Sequence, residues 1–261
     1  MEISLIGKHA LVGGSSKGIG EGIARELARC GASVTVMGRS EGKLQILVNE
    51  LDSSNGQEHH YLTTDMMHLE RYKNDILEHL KKYPVDILVN NTPGPPPGFV
   101  GELRDEDYAK AFDLLFRTIN FTTQAVTEHM KSTGFGRIIN VTSVTIKEPK
   151  PELVLSNTIR ASIITWAKSL SQELGPFGIT VNSILTGYFD TERLEEVNRK
   201  KAERSGKSMD ELQAEMAAQN SLNRIGQPEE YGYLVCFLAS DKAAYLTGTA
   251  IPLDGGYLRS V

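Results

Sequence analysis

Short apolar runs recur along the chain at 10–12, 34–37, 87–89, 138–141, 181–185 and 251–253, with a weaker one near 61–63. Between them lie longer stretches with apolar residues three and four apart, at 20–30, 41–51, 69–81, 105–130, 153–174 and 229–239. A run that is apolar at every position predicts a strand covered on both faces, and a 3.6-residue period predicts a helix with one buried stripe. Their alternation predicts an α/β fold, a doubly wound parallel sheet of the Rossmann type with about seven strands and helices on both faces. No repeat or linker divides residues 1–261, which are expected to form a single domain. Two segments break the rhythm. Thr92-Pro93-Gly94-Pro95-Pro96-Pro97-Gly98 is too rich in proline for helix or strand. The charged stretch 191–223 carries Ser208-Met209-Asp210-Glu211, a capping box that predicts a short helix, and the whole stretch is expected to form an inserted helical lid.

The first strand runs into Gly13-Gly14-Ser15-Ser16-Lys17-Gly18-Ile19-Gly20 and then directly into a helix. Glycines allow the tight turn and let the backbone approach a pyrophosphate, which the helix N-terminus stabilises. Three glycines alone are a weak signal; a strand before and a helix after make them a dinucleotide site formed by Gly14, Ser15, Ser16, Lys17, Gly18, Ile19 and Gly20. The second strand ends in Arg39-Ser40, with no acid to accept from a ribose hydroxyl. Lys17 and Arg39 can converge on a 2′-phosphate, so the expected cofactor is NADP(H); the alternative is that both cations are merely solvated.

Composition narrows the classes. The hydrophobic fraction of 40% and charged fraction of 23% are those of an ordinary globular chain, and a net charge of −5 argues against a nucleic-acid partner or an anionic membrane surface. No apolar run approaches about 18 residues, and 1–8 lacks a basic start followed by an apolar stretch, so neither a membrane span nor a secretion signal is expected. Cys30 and Cys236, distant in sequence and each in an apolar helical context, are expected as buried free thiols, which suits a cytoplasmic location.

With these residues in view, the chain resembles the short-chain dehydrogenase/reductase family over essentially its full length, and most closely its 3-oxoacyl-(acyl-carrier-protein) reductase branch. Gly14-x-x-x-Gly18-x-Gly20 is similar to the family's glycine turn, with Gly13 where threonine is usual. Asn90-Asn91 begins an NNAG-like motif that continues Thr92-Pro93. Arg224 to Glu230 and Leu246-Thr247-Gly248 with Asp254-Gly255-Gly256 match C-terminal signatures. The resemblance implies that Asp65 and Met66 contact adenine, that Asn91 and Thr92 border the cofactor, and that Gly187 and Thr191 meet the nicotinamide amide. It also implies a small-molecule substrate and a homotetramer or homodimer packed through 105–130 and 153–174.

At the catalytic residues the pattern departs. Ser143 stands in the family serine's place, but Ser156, thirteen residues on, replaces the tyrosine, and Arg160, four further, replaces the lysine. Leu115 stands at the asparagine position, and Asn120 is out of register. A serine hydroxyl is not tuned to act as an acid near neutrality, and an arginine cannot join a proton relay, although Arg160 can keep a ribose contact and a positive field. Two readings stay open. One is an NADP(H)-dependent oxidoreductase acting on a carbonyl or alcohol, with Ser143, Ser156, Arg160 and Tyr188 as candidate catalytic residues and a nonstandard proton donor. In it, Tyr188 or a charge from Lys147, Glu148 and Lys150 supplies the proton, though the stronger reading of these residues is pocket wall and solvated loop. The other is a catalytically silent cofactor sensor or oligomer partner.

Overall fold

The computed structural model describes residues 2–260, apart from the side chains of Lys200, Lys201 and Arg204, three of the charges in 191–223 that thus lie outside the described residues. In chain order the elements are β1 (His9–Val12), α1 (Gly18–Arg29), β2 (Ser33–Gly38), α2 (Glu41–Glu50), β3 (His60–Thr63), α3 (Leu69–Leu80) and β4 (Ile87–Asn90). Then follow α4 (Asp105–Phe112), α5 (Thr118–Thr133), β5 (Gly136–Val141), α6 (Val154–Leu174), β6 (Ile179–Thr186), α7 (Glu192–Ser205), α8 (Met209–Ala217), α9 (Pro228–Ala239) and β7 (Ala250–Leu253). The strands form one seven-stranded sheet in the order β3-β2-β1-β4-β5-β6-β7, and every pairing is parallel. Strand order reverses between β1 and β4, and a crevice opens at the carboxyl ends of such a switch point.

Two apolar layers sandwich the sheet. One gathers Ile23 and Leu27 of α1, Leu44 of α2 and Val235 of α9 against β1, β2 and β6; the other gathers Ile76, Leu114, Leu115, Ile159 and Ala167 on the opposite face. Helices α1 and α9 close on each other at glycines. A Cβ on Gly22 would lie 2.5 Å from the Pro228 carbonyl oxygen, and one on Gly232 2.5 Å from Glu26 Cγ. At the far end of this pair Cys30 and Cys236 meet as free thiols, and the hydrogen bond between them, with burial, pushes the Cys236 thiol up.

The helix expected over 105–130 forms, but it is not α-helical throughout. A π-helical turn at Asp113–Arg117 separates α4 from α5, and the hydroxyls of Thr118 and Thr122 donate back to the carbonyls of Leu114 and Thr118 at 2.6 and 2.9 Å. Threonines that bond back into the preceding turn compete with the helix ladder. The capping box at Ser208 forms as the spacing predicts and opens α8. Among the described residues no helix is long and apolar enough to cross a membrane.

Candidate active site

The glycine turn is pinned from both sides. Gly14 and Gly18 take φ of +53° and +62°, values costly for side-chain-bearing residues, and a Cβ on Gly20 would sit 2.4 Å from the Gly14 carbonyl oxygen. Asn91, at the end of β4, donates through its side-chain amide to the Gly13 and Gly14 carbonyls at 2.9 and 3.4 Å. The Ser15 hydroxyl turns inward, donating to Val12 O and accepting from Met37 N–H, so it ties the turn to β2 and is not free for a ligand. Ser16 instead lies against Gly38, with Ile19 partly buried behind it. No side chain caps α1, which leaves its N-terminal amides and partial positive charge to an anion.

Gly13 stands where threonine was expected, and the structure supplies the reason. A Cβ there would fall 2.4 Å from the Asn91 backbone oxygen. Gly13→Ala is therefore expected to push β4 and the turn apart, at about 1–3 kcal/mol. A thermal melt would show this as a drop of several degrees; an unchanged melt would mean that the Asn91 carbonyl moves freely.

The two cations read as 2′-phosphate partners have different surroundings in the folded chain. Lys17 pairs with Glu192 of α7 at 2.7 Å and Glu196 at 3.7 Å, while Arg39 is exposed beside Ser40. Asp65 accepts from the Met67 amide, Met66 is buried, and Thr92 Oγ1 is buried without a partner. Gly187 donates its amide to Leu253 O, and Thr191 starts α7 by accepting from Leu194 N–H.

On the other side of the crevice, β5 and β6 run in register and the Thr142 amide donates to Ile184 O, so Ser143 and Tyr188 leave neighbouring strand ends. The Ser143 hydroxyl is 2.9 Å from Thr145 Oγ1. Ser156 is partly buried near the start of α6, and Leu115 is fully buried in the π turn. Arg160 is 7% exposed and donates to the Val141 carbonyl at 2.6 Å; burial pulls it down to about 10, so it stays charged at neutral pH. Among the described residues the group whose charge acts on it is the buried Tyr231, whose hydroxyl is 3.0 Å from Thr186 Oγ1.

Lys150 is where the structure adds most. Of the three loop charges, Lys147 is solvated and Glu148 accepts from the Arg259 amide, but Lys150 turns inward. Its ammonium donates to the Tyr188 hydroxyl and lies 4.8 Å from the centre of that ring and 5.7 Å from that of Tyr257. The Tyr188 hydroxyl donates to Gln219 at 3.2 Å, and its ring meets Tyr257 edge-on at 5.5 Å. Burial holds Tyr188 above the usual phenol value, so it is a protonated phenol at neutral pH. Tyr257 and Gln219 went unnoticed in the sequence because nothing local marks them; they arrive from the C-terminal segment and the end of α8 only on folding. A shallow recess lies beside Tyr188, lined also by Phe189, Leu222, Arg224 and Leu253.

A family model described as enoyl-(acyl carrier protein) reductase matches residues 14–258. The chain belongs to the short-chain dehydrogenase/reductase family. It is 31% identical to the 3-oxoacyl-(acyl-carrier-protein) reductase FabG of Rickettsia felis, across 98% of this chain and 99% of that protein. It is 27% identical to the NADPH-dependent reductase BacG of Bacillus subtilis, across 97% and 99% of the two chains. L-sorbose reductase from Gluconobacter frateurii, solved with NADPH and L-sorbose, superposes with a TM-score of 0.93 at 26% identity over the full length of both chains. The seven-stranded sheet with helices on both faces is thus this family's fold, and its relatives are reductases.

Proposed function

We propose that this short-chain dehydrogenase/reductase is an NADP(H)-dependent oxidoreductase that interconverts a carbonyl and an alcohol, with Tyr188 as proton donor and Lys150 as its charged partner. The contact between Lys150 and the Tyr188 hydroxyl carries this reading. It pairs a phenol with a lysine, the chemical combination that Ser156 and Arg160 no longer supply. The cofactor fits the residues present: the glycine turn of Gly14, Gly18 and Gly20 for the pyrophosphate, the uncapped α1, Lys17 and Arg39 with Ser40 for a 2′-phosphate, and Asp65 and Met66 for the adenine side. Asn91 holds the turn in shape, and Thr92, Gly187 and Thr191 border the nicotinamide half. The NADPH-dependent reductase BacG and the NADPH complex of L-sorbose reductase support the choice.

When bound, NADPH supplies a hydride to the carbonyl carbon. The chain's part is to orient the substrate oxygen through the Ser143 hydroxyl and to pass it the Tyr188 proton. Lys150 steadies the phenolate that remains, and the buried charge of Arg160 adds a fixed positive field near the nicotinamide ribose. Helices α7 and α8 act as the lid over this crevice within one continuous domain. Phe112, 43% exposed and stacked on Phe116 with Trp166 against it, offers an apolar face on α4 and α6 that suits a homodimer or homotetramer.

The test is a fluorescence titration with NADPH and with NADH, followed by a screen of carbonyl substrates. Lys17→Ala and Arg39→Ala are each expected to weaken NADPH binding about tenfold and to leave NADH binding nearly unchanged. Failure of the wild-type chain to bind either nucleotide would end the oxidoreductase reading.

The silent reading keeps one observation of its own: Arg160 is tied to the Val141 carbonyl, and Ser156 and Leu115 carry no acid. It predicts that Ser156→Tyr with Arg160→Lys creates reductase activity where the wild-type chain has none.

A further inference from the structure

The place expected for a 2′-phosphate, between the glycine turn and the end of β2, already receives an anion from within this chain. Glu192, the first residue of α7, presents one carboxylate oxygen to Lys17 Nζ at 2.7 Å and the other to Lys43 Nζ at 3.5 Å. Lys17 immediately precedes α1, and Lys43 lies in the first turn of α2, just past Arg39 and Ser40. One carboxylate therefore bridges the two segments that would flank the phosphate. Glu196, one turn along the same helix, stands 3.7 Å from the same lysine. Thr191 fixes the start of α7 in position: its methyl carbon is 3.1 Å from where a Cβ on Gly18 would be, and its hydroxyl accepts from Leu194 N–H at 3.3 Å.

We propose that Glu192 is a resident substitute for the cofactor's 2′-phosphate and thereby sets how strongly this chain discriminates NADP(H) from NAD(H). The inference rests on the NADP(H) reading above. A phosphorylated cofactor has to displace this carboxylate from Lys17 and Lys43 before it can use them, so part of its favourable charge pairing is offset. NAD(H) carries a hydroxyl at the same point, which a carboxylate accepts from without giving up either lysine. The acid missing from the end of β2 is thus supplied from α7, a different part of the chain. All three side chains are roughly half exposed, so solvent screens the pairs and the effect is a matter of severalfold affinity.

The experiment compares wild type, Glu192→Gln and Glu195→Gln. Glu195 lies on the same helix but pairs with Arg199 at 2.8 Å, away from the turn. Each protein is titrated with NADPH and NADH, and by calorimetry with 2′,5′-ADP and 5′-ADP, which isolate the adenosine end. Glu192→Gln is expected to tighten NADPH and 2′,5′-ADP about threefold to fivefold, leaving NADH and 5′-ADP equal or weaker. Glu195→Gln is expected to change none of them. Unchanged NADPH and 2′,5′-ADP affinities would overturn the proposal. So would equal tightening of all four ligands, since Glu192 would then only obstruct the crevice. A wild-type chain that binds no nucleotide would remove the cofactor reading itself, an outcome visible before any variant is measured.

Discussion

Tyr188→Phe is expected to lower kcat for carbonyl reduction by about 100-fold to 1000-fold while leaving KM and NADPH affinity within about twofold. The substitution removes one hydroxyl and keeps the ring that packs edge-on against Tyr257, so the pocket wall survives. A proton donor acts only as charge develops on the substrate oxygen, which is why its loss falls on kcat. Lys150→Met should cost less, about tenfold, because the phenol remains and only the charge that steadies its conjugate base is gone. The pH profile separates this donor from an ordinary one. Burial raises Tyr188 above the free phenol value of 10, so its protonated form persists and the reduction rate should stay level from neutral pH to 10 and fall only beyond it. In the oxidation direction the same phenol must act as a base, so that rate should climb across the whole range. If Tyr188→Phe and Ser143→Ala both leave turnover unchanged, the proton comes from elsewhere and the assignment is wrong.

The division between what was legible and what was not follows the range of the interactions. The strands and the glycine turn are written locally, in apolar runs and in glycines whose φ or close approach no other residue satisfies, so their place in the sheet could be read from the chain. The positions of Ser156 and Arg160, counted from Ser143, were legible too. Tyr188 and the loop charges Lys147, Glu148 and Lys150 could be named as candidates from the chain, but not which of them would meet. Lys150 looked like a loop charge because its partner, Tyr188, follows a different strand, and no spacing links the two. Lys17 looked like a free cation because Glu192 is 175 residues away. The π turn at Leu115, beside threonine hydroxyls that bond back into the helix, escaped because the apolar period does not record such a turn. Charge pairs and helix irregularities are settled by tertiary neighbours, and a single chain read in order does not display them.

Lowering the pH from 7 to 5 is expected to remove about 2 kcal/mol of folding stability through His79 alone, at the end of the molecule opposite the crevice. His79 is buried near the amino ends of the strands, where its Nε2 shares Thr35 Oγ1 with the Nε2 of His9, both at 2.9 Å. Tyr83 packs against it, and His60 stacks on Tyr83 at 3.8 Å. Burial, with the neighbouring His9, His60 and Lys82, pulls His79 down to about 4, and burial likewise lowers His9 and His60. Asp86 opposes this at His9, less strongly than burial lowers it; it accepts from the His9 amide and pairs with His129. The folded chain therefore keeps His79 neutral, whereas the unfolded chain protonates it from about pH 6.5 downward. Unfolding takes up a proton in that interval, so the stabilisation is complete above pH 6.5, shrinks as pH falls, and levels off near 4. The window from 7 to 5 lies above the range in which ordinary carboxylates titrate, which isolates the histidines. Urea denaturation at pH 7 and pH 5 would measure the difference, and His79→Gln, which can still hydrogen-bond Thr35, should remove most of it at some cost at pH 7. If the variant kept the wild-type pH slope, the proton taken up on unfolding would belong to another group, with His9 the next to replace.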